Sequence, residues 1–358
     1  MNALLAMLSL IVLASALLVL PIVPAIAELR LKRDAQPLNV IQQYGGEIRH
    51  FAHGFHAYVA AFQGPLKQCV ASRTTVRGVL PGGDEYVLLG SPDQEFFDSV
   101  AEKQGACPFV VVAGTHLAVP DGLTFSKEIY AASDFSGGER NSYRAILGEK
   151  AILLRRASKV IRWAHAAETL RAEHDCDLYG RISSDREIQL QSGCVFQRLN
   201  APLISLEALS AATGPHSSSV SDSPDDYAAA SRRRLVNEDL EIQPGELVTE
   251  NIVTRGKLRI RAGARLLGSV KSHEEMVVEA GVFVAGSLIS GTTMHVGPGC
   301  RIGGPVLAEH GMVVESGTEC GAAHFPTTVS APTIEIEEGA QVFGTLWARN
   351  EGRVVPRV

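Results

Sequence analysis

DLEIQPGELVTENIVTRG (239–256), KLRIRAGARLLGSVKSHE (257–274), EMVVEAGVFVAGSLISGT (275–292), TMHVGPGCRIGGPVLAEH (293–310), GMVVESGTECGAAHFPTT (311–328) and TIEIEEGAQVFGTLWARN (333–350) are six blocks of 18 residues, interrupted once by the four extra residues Val329–Pro332. A fixed period of this length marks a solenoid, in which each repeat buries its apolar face only by stacking on its neighbours. The second column reads Leu240, Leu258, Met276, Met294, Met312, Ile334, and the fourth Ile242, Ile260, Val278, Val296, Val314, Ile336. The tenth reads Val248, Leu266, Val284, Ile302, Cys320, Val342, and the fourteenth Ile252, Val270, Leu288, Val306, His324, Leu346. Spacing by two within a block is strand periodicity. The seventh column is glycine throughout, Gly245, Gly263, Gly281, Gly299, Gly317 and Gly339. Glycine at one phase suits a corner that needs positive φ or a close backbone approach. A second small column, Gly268, Gly286, Gly304, Ala322 and Gly344, marks another corner.

Each block therefore predicts one coil of about three short strands, stacked in parallel at about 4.8 Å per coil. Every aliphatic buried this way contributes about 1.5–3 kcal/mol before conformational entropy is subtracted. The same phase recurs upstream from Ala151, Thr169 and Glu187, with Ile152, Leu170 and Ile188 in the second column and Val160, Leu178 and Phe196 in the tenth. Nine coils are then clear, three plus six. The serine- and aspartate-rich stretch 208–236, ending in Arg232-Arg233-Arg234, reads as a linker between two arrays of one continuous column.

The rest of the chain is less regular. Residues 1–27 carry no charged side chain and are long enough to cross a bilayer. Arg30, Lys32 and Arg33 follow, which favours an uncleaved anchor with its N-terminus outside and the remaining chain in the cytoplasm. Ala25-Ile26-Ala27 resembles a signal-peptidase site and supports the competing reading, a cleaved signal. Region 28–120 predicts a small membrane-proximal α/β unit or a cap on the solenoid. It has an amphipathic helix over 46–62 (Ile48, Phe51, Phe55, Val59, Phe62) and a second capped by Ser91 that buries Phe96, Phe97 and Val100. A strand is expected at 109–112. A looser coil spans 123–150, with Ser136-Gly137-Gly138 bulging out. The expected division is thus 1–27 anchor, 28–120 membrane-proximal or capping region, 121–207 first part of the β-helix, 208–236 linker, 237–350 second part and 351–358 tail.

Net charge is −6 over 358 residues, which argues against a nucleic-acid-binding surface. Nucleotide, dinucleotide and zinc-protease motifs are missing from the sequence, and no cofactor is expected. Six cysteines show no metal-type spacing. Cys176, Cys194 and Cys300 share the eighth column and read as small core thiols; a Cys176–Cys194 disulfide is sterically conceivable. His50, His53 and His56 drift round a helix without a completing ligand and read as its polar flank. His324 is the one candidate for chemistry, a histidine in an aliphatic column of the irregular coil, placed to serve as a general base.

With the columns drawn, the array resembles the bactofilins, bacterial cytoskeletal proteins built on a right-handed β-helix. The strings Ile260–Gly268 and Ile336–Gly344 carry the resemblance, over about 151–206 and 237–350. It implies an all-β right-handed parallel β-helix that polymerises end to end without nucleotide. As a non-enzymatic scaffold at the bacterial inner membrane, it would act in cell shape or envelope building. Implied partners are other copies of the chain, the lipid bilayer through 1–27, and envelope-synthesis proteins. The exposed final coil, with Ile334, Ile336, Val342, Phe343, Leu346 and Trp347, is the expected assembly surface. The alternative is a hexapeptide-repeat acyltransferase using an acyl-coenzyme A donor with His324 as base. Against it, the sixteenth column (Thr254, Ser272, Ser290, Ala308, Pro326, Ala348) is small rather than aliphatic.

Overall fold

The computed structural model describes residues 48–80, 82–206 and 232–357, together with Met7, Leu10 and Leu13. The chain divides into a unit up to Glu47 and one from Ile48 onward. The second unit is a right-handed-type parallel β-solenoid of about 12 coils. The expected membrane-spanning helix needs correction: among the described residues no helix is long and apolar enough to cross a membrane. The stretch 1–27 lies, apart from those three residues, outside the described residues. The helices described are short: α1 (His50–Val59), α2 (Gln63–Ser72) and α3 (Gln94–Glu102), with a 3-10 turn, Ala60–Phe62, between the first two.

In the second array the columns stack as the repeat dictates. Leu240, Leu258, Met276, Met294, Met312 and Ile334 are aligned on successive coils by parallel pairing. Leu266, Val284, Ile302, Cys320 and Val342 form another such row. The two small columns have different physical causes. The seventh-column glycines have φ between 67° and 91°. A Cβ at Gly245, Gly263, Gly281 or Gly299 would meet nothing within 4 Å, so there the backbone angle alone requires glycine. At Gly268 and Gly304, a Cβ would lie 2.5 Å and 2.7 Å from the backbone of the preceding coil, so close approach is the requirement. The small sixteenth column is a hydroxyl ladder. Buried Thr254, Ser272 and Ser290 donate to the carbonyls of Glu238, Gly256 and Glu274 at 2.6, 3.1 and 2.9 Å. Each satisfies a corner carbonyl that the strand ladders leave over.

The irregular coil is resolved differently from the expectation. Val329, fully buried, fills the fourteenth column between Val306 and Leu346. The extra residues are therefore those of the turn Gly321–Pro326, and His324 is carried outward on it. A valine gains by burial at that position, while an imidazole there would lose hydration without a partner.

The first array starts earlier than its 18-residue phase shows. The strands Glu85–Leu89, Val110–Ala113, Thr124–Ala131 and Ser142–Gly148 pair in parallel and continue into the strand Lys159–Ala166. The described part of region 28–120 is thus not a separate α/β unit: from Glu85 it supplies coils, and its helices pack on them. Helices α1 and α2 and the turn between them bury Ala52, Val59, Phe62 and Leu66 against one flank, with Val110, Val112, Leu147 and Trp163 beneath. Helix α3 closes the end of the column with Phe96, Phe97 and Val100. Its cap is Asp93 rather than Ser91: Oδ1 accepts from the Phe96 amide at 2.9 Å while Oδ2 accepts from the Thr75 hydroxyl. Ser136-Gly137-Gly138 does not bulge out. Gly137 and Gly138 are buried, and a Cβ at Gly138 would strike the Pro120 carbonyl. Buried Asn141 ties this corner together, accepting from the Leu123 amide at 2.7 Å and donating to the Pro120 carbonyl and the Tyr143 oxygen at 2.8 Å.

Candidate functional site

The two arrays do not form one continuous column. The last strand of the first, Val195–Leu206, pairs antiparallel with the last strand of the second, Gln341–Val355. Phe196 faces Gly352, Leu199 faces Leu346, and Ile204 faces Val342. In repeat terms, the tenth column of one array meets the second of the other, the fourteenth meets itself, and the second meets the tenth. That is the register of a two-fold axis through the fourteenth-column face. Two coil stacks of one chain therefore meet tail to tail as two subunits of a symmetric dimer would. Residues 351–355 are part of this strand rather than a tail, and Val354 is buried. Gly352 occupies a column that is Leu, Met or Ile in the other coils, because a Cβ there would lie 2.2 Å from the Phe196 ring. Asn200 Nδ2 donates to Thr345 Oγ1 at 3.0 Å, and the Ser192 amide donates to Glu338 Oε1 at 3.2 Å, closing the edges of the junction.

The expected assembly surface is consequently consumed within the chain. Ile334, Ile336, Val342 and Leu346 point into the column and are buried, and Phe343 is half-buried. Trp347 alone keeps substantial exposure, at 39 %, with the Arg198 guanidinium 5.1 Å above its ring. The open coil end lies at the other extreme of the second array. Among the described residues, no strand covers the outer edges of Arg233–Val236, Leu240–Ile242 and Leu247–Val248. Leu235 and Leu247 are 58 % and 59 % exposed there. Arg234 stands in register with Ile252 and so takes the fourteenth, normally aliphatic, column. A charge at an inward phase of an edge strand guards against indiscriminate strand pairing. Sequence reasoning placed Arg233–Val236 in the linker; Arg234 at that phase, 18 residues before Ile252, was the available signal.

The remaining candidates carry little chemistry. His324 is exposed on its turn and, among the described residues, has no hydrogen-bond or ion-pair partner to orient it as a base. His165 Nδ1 lies 2.9 Å from Ser183 Oγ, and Nε2 lies 3.9 Å from Asp185, which pairs with Arg49 at 2.7 Å. This echoes a Ser-His-Asp set, but His165 and Ser183 are 7 % and 2 % exposed, leaving no approach for a substrate. Burial holds His165 below its ordinary pKa despite the Asp185 charge. The set therefore pins the Arg49 end of the helical flank to the coils. All six cysteines are buried free thiols. Burial pushes Cys320 up to about 12 and Cys107 up to about 11, so neither is a thiolate nucleophile at neutral pH. No cluster of three metal-ligating side chains occurs among the described residues, and His56 instead pairs with Glu149 at 3.3 Å.

Comparison with family models, with curated proteins and with solved structures gave no match.

Proposed function

We propose that the chain is a non-enzymatic structural scaffold, a bactofilin-like β-helix of the cell envelope or cell-shape machinery that assembles through coil ends. The tail-to-tail junction carries this reading: it is a coil-end contact of two-fold register already made inside one chain. It also narrows the mode of assembly. Both tails are used, the head of the first array is closed by α3, and among the described residues the head of the second array remains. End contact alone then stops at a pair of chains, and longer assemblies need lateral contact between flanks.

In a head-to-head pair of the same register, Arg234 would face the Arg234 of the second copy across the axis. Like charges so placed repel, and salt screens them. Sedimentation and negative-stain microscopy over rising protein concentration test the reading. Paired rods that strengthen at high salt are expected. Single rods at every concentration and salt would remove self-assembly from the proposal. Acyl transfer from a coenzyme A thioester, lost in His324→Ala, would replace the scaffold with an enzyme.

A further inference from the structure

The flank of the rod carries one row of outward side chains that is in register across the junction. Trp163 is aligned with Arg181, Arg181 with Arg198, and Arg198, antiparallel, with Trp347. Arg181 and Arg198 thus sit one coil step apart, about 4.8 Å along the axis. Each guanidinium lies over an aromatic face: Arg181 is 4.9 Å from the Phe51 ring, and Arg198 is 5.1 Å from that of Trp347. Arg162 joins the group at 6.0 Å from Phe51.

A guanidinium stacked on a ring keeps its N–H groups in the plane, free to point sideways at an acceptor. Among the described residues no carboxylate takes them. The nearby acids are engaged elsewhere, Glu128 with Arg144 at 3.1 Å and Asp185 with Arg49 at 2.7 Å. Arg198 Nε is buried with no hydrogen-bond partner. Burial first, and then the Arg181 charge, hold the Arg198 guanidinium below its ordinary pKa. Like charges in adjacent coils with an unsatisfied buried donor are costly unless an anion completes them. Other coil arginines find a carboxylate one step away, as Arg261 does in Glu241 and Glu279 at 2.6 and 2.9 Å. The cluster also opens onto a groove whose lining includes Phe51, Phe55, Tyr58, Arg162, Trp163 and the Arg144-paired Glu128.

We propose that Arg181 and Arg198, with Arg162 beside them, form a binding site for a phosphate group, whose organic substituent lies in the aromatic groove under α1. A carboxylate brings one negative charge to two guanidinium cations, whereas a phosphate group brings up to two and has three oxygens to accept both forks. The site straddles the tail-to-tail junction inside one chain and needs no contact between chains, so its test is separate from that of self-assembly. The phosphate could be that of a soluble ligand or of a lipid headgroup, and the test separates the two.

The full chain is titrated with sodium pyrophosphate while Trp347 emission is followed, Trp347→Phe identifying the signal. In parallel it is sedimented with phosphatidylcholine vesicles with and without phosphatidylglycerol. Response to pyrophosphate alone assigns a soluble phosphate; sedimentation only with anionic vesicles assigns the headgroup. In either arm the Arg181→Gln/Arg198→Gln variant is expected to bind about tenfold or more weakly, the loss of charge-assisted hydrogen bonds. Arg171→Gln, on another face, is expected to bind as the wild type does. Arg181→Lys/Arg198→Lys, which keeps the charge but not the forks, is expected to be weakened several-fold, and it serves should the glutamine pair misfold. Wild-type affinity in the lysine pair, wild-type affinity in a folded glutamine pair, or no binding of either probe overturns the site.

Discussion

The two arrays solve one packing problem with different materials. The second keeps 18-residue coils of mostly Leu, Ile, Val and Met, broken only by the four extra residues of the coil from Gly311. The first fills its column with Phe125, Phe135, Tyr143 and Phe196, all fully buried, with Tyr143 stacked on Phe125 at 5.4 Å and edge-on to Phe135 at 5.5 Å. Large rings of fixed shape must interlock with specific neighbours. Coil lengths there vary, and its pairing shifts register between Val160 and Trp163 and between Leu178 and Arg181. The first array is closed by a helix, and among the described residues the second ends open. Regularity therefore goes with the end left available, and irregularity with the end that is sealed.

The sharpest way to break this comparison is at the ring that joins the halves. Phe196→Ala is expected to cost about 3–5 kcal/mol, while Ile260→Val in the regular array costs about 0.5–1.5. Equal losses in chemical denaturation would show that the aromatic column is no more tightly specified than the aliphatic one. Gly352→Leu restores the residue type of its column, yet is expected to destabilise by about 1–3 kcal/mol through overpacking against Phe196. A stabilised variant in the same assay would show that the Phe196 ring does not require glycine at position 352. Asp93→Ala removes the α3 cap, with an expected loss of about 1 kcal/mol. Amide exchange in such a variant should rise in the strand Glu85–Leu89 toward that of the open strand Leu240–Ile242, and unchanged exchange would mean that the helix does not seal its end. Ser272→Ala, which takes one rung from the hydroxyl ladder, is expected to cost about 1 kcal/mol, read as a shift in denaturation midpoint.

The smallest effect concerns pH. Because burial depresses the His165 pKa, the unfolded chain takes up a proton below about pH 6.5 that the folded first array refuses. Its stability is therefore full above that pH and falls on acidification. A melting temperature that drops between pH 7.5 and 5.5 in the wild type, and drops less in His165→Gln, is expected. Identical profiles would show that His165 does not titrate with folding.

The solenoid was legible in the second array because a period is visible only where coils are equal. The columns of Leu240 and Ile242 set strand, phase and inward face together. In the first array the same geometry was hidden by unequal corners, such as the one held by Asn141, and by aromatics that break the aliphatic columns. Local competition misled at one position: His324 fits the count, but Val329, five residues on, fits the core. The direction in which the arrays meet was not legible, since parallel and tail-to-tail stacking share one periodicity. Gly352, where the second column abruptly loses its side chain, was the trace of it.

The junction also determines how the polypeptide is threaded. The first array ends at Leu206 beside the junction, and the second begins at Arg232 on the open coil. About six coil steps, roughly 29 Å, separate those points along the axis. Twenty-five residues connect them, with a contour of about 80 Å or more when extended. Covalent continuity therefore contributes little to the register at Phe196 and Gly352, which is set by surface complementarity. Cut between 207 and 231, the molecule becomes a split pair: two fragments, each with its own stacked column, each presenting the matching half of one interface. A fragment 48–206 and a fragment 232–358, mixed, have everything needed to find each other.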